Sequence, residues 1–426
     1  MYEGKKLLVL GGKPIGSVEL VERAKELGAY VIVADYLPIE QSPAKRIADE
    51  CWDISTAEVD KLVDLCKIHH VDGVSAGVHE FNINRMLDLC EKLNLPCYCK
   101  RDTWIYCDDK VEFKKLCISN KIPVARKYDI NSNSSAQQLE SLPYPVIVKP
   151  VDGSGSRGFH ICKDSNELKD KYADAESFSP TKRVIVEDYM PYDAVIIHYT
   201  MHKGKCYFSG MSDKISRKFA STGSSVMGFQ SFPSKGLNTY LRSLDESTRS
   251  MFEKAGFTDG PIWIEAFFDG KESFYFNEIG YRFGGSLTNY PVKYFYGIDQ
   301  LDLMISSALA GDIAFTQTTN ESPRNYCILP IHTKAGNIQH IVGENDIKSM
   351  NNIYAYVPVH FEGDEIHDWG SAQQVFCYIH VLYDTYKDLK NTLNDVMKTI
   401  KAIDLNGNNL LFTLFDFNNE KVKKRL

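Results

Sequence analysis

The sixteen residues Tyr144 to Phe159, YPVIVKPVDGSGSRGF, constrain this chain more than any other stretch. Val146, Ile147 and Val148 form a β-branched run that favours a strand, and Lys149 sits near its end. A glycine-serine loop follows, and a second apolar pair, Phe159 and Ile161, picks up beyond it. The pattern predicts strand, loop and strand. Gly153, Ser154, Gly155, Ser156 and Gly158 offer backbone N–H groups that can close over anionic oxygens, and Lys149 is placed to meet the same charge.

A glycine-rich cover of this kind excludes water from phosphoryl transfer. It is not a P-loop, in which the lysine follows the glycines at a helix start. Its logic is nearer the glycine-rich lid of protein kinases, but neither a His-Arg-Asp nor an Asp-Phe-Gly triplet occurs. A plain β-hairpin with a flexible tip accounts for the same residues.

A chain of 426 residues exceeds one ordinary core, so about two to four domains are expected. The 49 Lys+Arg against 56 Asp+Glu, a net charge of −7, speaks against a nucleic-acid partner. Eleven cysteines without a Cys-x-x-Cys pair speak against a zinc site and read as free thiols of a reducing compartment. The N-terminus lacks the apolar core and cleavage site of a signal peptide, and no apolar run reaches membrane-spanning length. A cytoplasmic protein without a membrane partner is expected.

Residues 1 to about 100 alternate strands (Lys6–Leu10, Tyr30–Asp35, Gly73–Ala76) with helices (Ser17–Leu27, Val59–His69, Asn84–Leu93), which implies a parallel sheet covered by helices. The turn Gly11-Gly12-Lys13-Pro14-Ile15-Gly16 enters the first helix, where anions are received, and Asp35 ends the second strand, where a dinucleotide-binding protein holds its ribose. A nicotinamide-dependent oxidoreductase is therefore a rival, although the glycine spacing is imperfect. Further on, a helix is expected over Lys110–Ser119 and strands over Val184–Tyr189 and Ala194–His202. Ser216–Phe232 reads as a long functional loop and Asn238–Ala255 as a helix. Pro261–Asp269 and Glu272–Ile279 form a hairpin through Asp269-Gly270. Beyond Gly311, three strands and the helix Lys387–Ile400 suggest a small α+β unit.

The hairpin sets Glu265 and Glu278 within apolar runs on adjacent strands, which is costly without compensation. Two such carboxylates suit a hard divalent cation, and equally a pair of buried acids matched by basic side chains. By strand alternation Glu278 and Gly280 share a face while Asn277 points away. Arg282, just ahead of Gly284-Gly285, could stabilise a phosphoryl group or hold a carboxylate.

In this order the motifs resemble the ATP-grasp superfamily of carboxylate–amine ligases, whose plan is shared by biotin carboxylase and the carbamoyl phosphate synthetase large subunit. The resemblance covers residues 5 to 310. It implies an ATP-grasp fold of mixed α/β and α+β class, with an N-terminal parallel-sheet domain (1–105), an ATP-grasp domain (106–315, its lid about 125–190) and a small C-terminal α+β domain (316–426). Asp109-Lys110 with Phe113-Lys114 is similar to the segment whose lysine touches the ATP phosphates, which falls on Lys110. Lys149 with Gly153 to Gly158 is similar to the second phosphate lysine and lid. Glu187-Asp188-Tyr189-Met190 is similar to the hinge that pairs with adenine, and Asp193 lies near the ribose-binding acid. Glu265 and Glu278 match the magnesium-binding glutamates and Arg282 the catalytic arginine. The family usually has asparagine two residues after its second metal acid, where this chain has Gly280.

The resemblance implies attack of a carboxylate on the γ-phosphate of ATP, with magnesium as cofactor and manganese as a permitted substitute. The resulting acyl phosphate is displaced by an amine, with amino-acid or peptide-like substrates the expected class. Other ATP-grasp phosphoryl chemistry, including the carbamoyl-phosphate type, is the alternative. Glu80, at a strand's carboxyl end, could receive the amino group, and Lys214 and Arg217 could hold a carboxylate. The partners are small-molecule acids and amines, and a homodimer is compatible with this plan.

Overall fold

The computed structural model describes residues 1–152, 158–219 and 225–415. Its first layer is a four-stranded parallel sheet in the order Glu50–Trp52, Tyr30–Ala34, Lys6–Leu10, Gly73–Ala76. Leu7–Leu10 and Val31–Ala34 are wholly buried, the continuous apolar runs expected of strands covered on both faces. Helices Ser17–Glu26, Val59–His69 and Glu80–Leu93 pack with this sheet. The last starts four residues earlier than expected, so Glu80 is its first helical residue. Among the described residues no helix is long and apolar enough to cross a membrane.

A second sheet is antiparallel and ordered Lys127–Tyr128, Val184–Asp188, Val146–Pro150, His160–Cys162, within the span expected for the lid. Val146, Val148, Cys162, Leu168, Ala175 and Val186 form its own small core under the helix Ser165–Ser177. The stretch Tyr144 to Phe159 supplies the strand Val146–Pro150 and leads to the strand His160–Cys162, and Gly153, Ser154, Gly155 and Ser156 lie outside the described residues. Gly158 has φ +68°, and a Cβ there would sit 2.9 Å from the Phe178 ring, so glycine is required as the chain returns.

The third element is a nine-stranded antiparallel sheet. Its path runs Phe274–Gly280, Gly260–Phe268, Asp193–His202, Lys205–Lys218, Ser225–Phe232, Asn325–Thr333, Val375–Tyr383, Ile353–Pro358, and the ninth strand, Leu411–Phe412, pairs with Asn325–Thr333 off this path. Two expectations fail here. Most of Ser216–Phe232 is not loop: residues to Lys218 and from Ser225 onward pair as a hairpin. Its polar residues concealed the strand because Gln230 and Ser231 are buried, Gln230 hydrogen-bonding Ser212 and Ser286. The helix expected over Asn238–Ala255 is two helices, Leu237–Ser243 and Asp245–Lys254, parted at Leu244. There Asp245 turns inward to accept from the Tyr199 hydroxyl at 2.9 Å. The strands beyond residue 316 extend the central sheet and bring a second apolar core with them.

Candidate active site

Three elements converge on one cleft: the strand Val146–Pro150 carrying Lys149, the helix Lys110–Ser119, and the Gly260–Phe268/Phe274–Gly280 hairpin. Lys149 Nζ lies 2.5 Å from Glu187 Oε1 and donates to Asn277 Oδ1 at 2.8 Å. Lys114, one helical turn beyond Lys110, reaches the other Glu187 oxygen at 2.8 Å. Burial alone pushes the Glu187 carboxyl up, but the two ammonium groups outweigh it and hold it at about 2. Burial moves Lys114 the other way, lowering its pKa against the pull of Glu187.

The hinge expected at Glu187 uses its backbone, and its side chain has a separate part. Its strand is paired on both sides, Glu187 facing Ile147 and Lys127, and its side chain is a buried counter-ion to two lysines. Tyr189 follows this strand and Asp193 opens the next, Asp193–His202, and both are exposed.

Glu265 and Glu278 face each other in register across the hairpin. Glu265 accepts from Lys214 Nζ at 2.6 Å and from Asn277 Nδ2 at 3.0 Å. Burial raises its carboxyl, but Lys214 outweighs this and its pKa is lowered. The Glu278 carboxylate has no hydrogen-bond or ion-pair partner among the described residues. Burial and the Glu265 charge raise its pKa, against the pull of Lys110, Lys214 and Lys149. Among the described residues no three His, Cys, Asp or Glu side chains converge for a metal. The protein supplies a carboxylate pair, one member lacking a cation, which fits magnesium when phosphates complete its shell.

The alternation argument misplaces Asn277. Glu265 pairs with Glu278 but Ala266 pairs with Phe276, so Asn277 is the extra residue of a β-bulge. The bulge lets its amide bridge Lys149 and Glu265 instead of pointing away. No one-strand pattern signals this, because a bulge is a property of the pair. At Gly280, a Cβ would lie 2.3 Å from Trp263 Nε1: the indole occupies the space an asparagine would need. Gly280→Asn alone should therefore lower stability by about 1–3 kcal/mol through overpacking, read as the urea midpoint. Trp263→Ala in the same chain should return most of that loss.

Arg282 lies beside the cleft, its Nη2 3.1 Å from Glu80 Oε1 and its guanidinium 5.2 Å from the Trp263 ring centroid. Glu80, from the carboxyl edge of the parallel sheet, is thus brought to the same place. Lys214 is too, although it holds Glu265 and not a separate acid. Arg217 is not: it lies past a bulge, its stem packed beside Gly228. Lys110 lies at the cleft edge, its Nζ 3.5 Å from the Val151 carbonyl. A cavity of about 570 Å³, lined by Lys114, Ile118, Pro123, Val124 and Arg126, is separate from the carboxylate pair. The nicotinamide rival loses its footing at Asp35. That carboxylate is buried and already accepts the Gly12 and Leu37 N–H groups at 2.6 and 2.8 Å.

Residues 142–290 match the family model described as an ATP-grasp domain. Formate-dependent phosphoribosylglycinamide formyltransferase from Prochlorococcus marinus (strain NATL1A) is 24% identical over 211 residues, 48% of this chain and 53% of that protein. The match thus spans about half the length of that relative. The biotin carboxylase domain of Hydrogenobacter thermophilus 2-oxoglutarate carboxylase, solved with MgADP and bicarbonate, has a TM-score of 0.80 at 17% identity, covering 99% of this chain and 95% of that one. The L-amino acid ligase from Bacillus licheniformis gives 0.72 at 18%, covering 95% and 100%. Residues 142–290 carry an ATP-grasp domain, and the fold of the chain is that of these solved structures.

Proposed function

We propose that this protein is an ATP-dependent ligase that activates a carboxylic acid as an acyl phosphate and joins it to an amine, releasing ADP and phosphate. The observation that carries this is the convergence of Lys149, Lys110 and Lys214 on the Glu265/Glu278 pair beneath a lid strand that leads into glycines. The matched relatives act in the same sense by name: a formate-dependent formyltransferase and an amino-acid ligase.

Glu265 and Glu278 would hold magnesium, or manganese in its place, and the bound cation would supply charge neutralisation at the β- and γ-phosphate oxygens. Lys110 and Lys149 bind the phosphates and offset the charge that spreads as the γ-phosphoryl group moves. Tyr189, through its backbone, would take adenine, and the Asp193 carboxylate would take ribose. The lid, through Gly153, Ser154, Gly155, Ser156 and Gly158, keeps water from the acyl phosphate. A carboxylate oxygen, oriented by Arg282, forms a bond to γ-phosphorus as the bond to ADP breaks. The amine then attacks the acyl carbon, phosphate leaves, and Glu80 receives the amine proton.

The test is ADP release by the purified protein with MgATP across a panel of amino acids and small carboxylic acids, each with and without hydroxylamine. Acid-dependent ADP release with formation of a hydroxamate is expected. A protein that binds MgATP but turns over with no acid, or one stabilised by NAD(P)H instead, would overturn the proposal.

A further inference from the structure

Trp263 and Glu265 are two residues apart on one strand and share a face, with Gly280 and Glu278 opposite them in register. Because residue 280 has no side chain, the Trp263 indole lies over it, with Nε1 and Cε2 2.3 and 2.4 Å from where a Cβ would stand. Trp263 Nε1 and Arg282 Nε are both buried, and neither has a hydrogen-bond partner among the described residues. The two side chains are stacked, the guanidinium 5.2 Å from the ring centroid.

Buried donors are normally paired, and two orphans side by side at a cleft call for an explanation. An indole N–H is a donor only and cannot ligate a cation. The space beside Gly280 thus presents a hydrogen-bond donor, a contact suited to an anion. We propose that the Trp263 indole N–H, with Arg282 Nε, is a donor to an oxyanion of the reaction. The acceptor is an oxygen of the transferring phosphoryl group or of the carboxylate that receives it. Trp263 is then a catalytic residue, and the inference rests on the phosphoryl-transfer proposal above. Gly280 is the condition for it, since any side chain there would displace the indole.

The chain has four tryptophans, so the indole N–H resonances of ¹⁵N-labelled protein are few, and the one lost in Trp263→Phe belongs to Trp263. The full chain is titrated with MgADP, then with orthovanadate as a phosphoryl mimic or with acetate as a carboxylate. The Trp263 signal should hold its place with MgADP and move downfield on the second addition. Movement with orthovanadate assigns the phosphoryl oxygen, and movement with acetate assigns the acid. A signal that stays still in both arms, while MgADP raises the melting temperature, overturns this inference and leaves the ATP proposal standing. Absence of any MgADP stabilisation overturns both. Trp263→Phe keeps a ring under Arg282 without the N–H, and should lower kcat roughly 10²-fold with KM for ATP unchanged. An unchanged kcat would contradict the proposal.

Discussion

Lys149→Ala should reduce acid-dependent ADP release by roughly 10³-fold, the upper end for removing one preorganised donor from a transferring group, while leaving the protein folded. The lysine lies near the end of the strand Val146–Pro150, between Glu187 and Asn277. It is therefore fixed before substrate arrives and costs little reorganisation when charge develops. Folding should survive because Glu187 keeps Lys114 at 2.8 Å, so no buried charge is stranded. Circular dichroism and the urea midpoint check the fold, and a coupled ADP assay checks the rate. A well-folded variant with wild-type turnover would remove Lys149 from the mechanism.

Glu187→Gln should have the opposite profile, with stability lost first. It leaves the buried Lys114 ammonium and Lys149 without their shared carboxylate, and breaking a buried pair in this way costs roughly 3–5 kcal/mol. That is a large share of the roughly 5–15 kcal/mol that holds most domains together. The pH dependence has a definite sign. The folded Glu187 pKa, about 2, is below its ordinary value of 4.5. Its stabilisation is therefore fully present above the ordinary value and is lost as pH falls through the folded one. The gap in urea midpoint between wild type and Glu187→Gln should be widest near neutrality and shrink below about pH 4.5. A gap independent of pH would show that the Glu187 charge contributes nothing.

Much of this site is legible in the linear chain because its parts are local. Val146 to Lys149 states a strand with a lysine, Asp269-Gly270 states a hairpin, and Glu265 and Glu278 stand out as acids in apolar surroundings. The parts that escape depend on two segments meeting. Asn277 enters the cleft through a bulge defined by both strands of the hairpin. The side-chain role of Glu187 escapes because Lys114 and Lys149, which share it, come from a helix and a neighbouring strand. Gly280 reads as a missing ligand until Trp263 is found over it. The strand through Ser225–Phe232 was hidden for a related reason: its buried Gln230 is satisfied by Ser212 and Ser286, from distant parts of the chain.

The central claim is that a carboxylate oxygen becomes bonded to the γ-phosphorus of ATP. It is tested most directly with ¹⁸O in the carboxyl group of whichever acid elicits ADP release. Attack by that oxygen, followed by displacement at the acyl carbon, should leave one ¹⁸O in each inorganic phosphate released, as read by mass spectrometry. Phosphate free of ¹⁸O, or AMP and pyrophosphate in place of ADP, would contradict it.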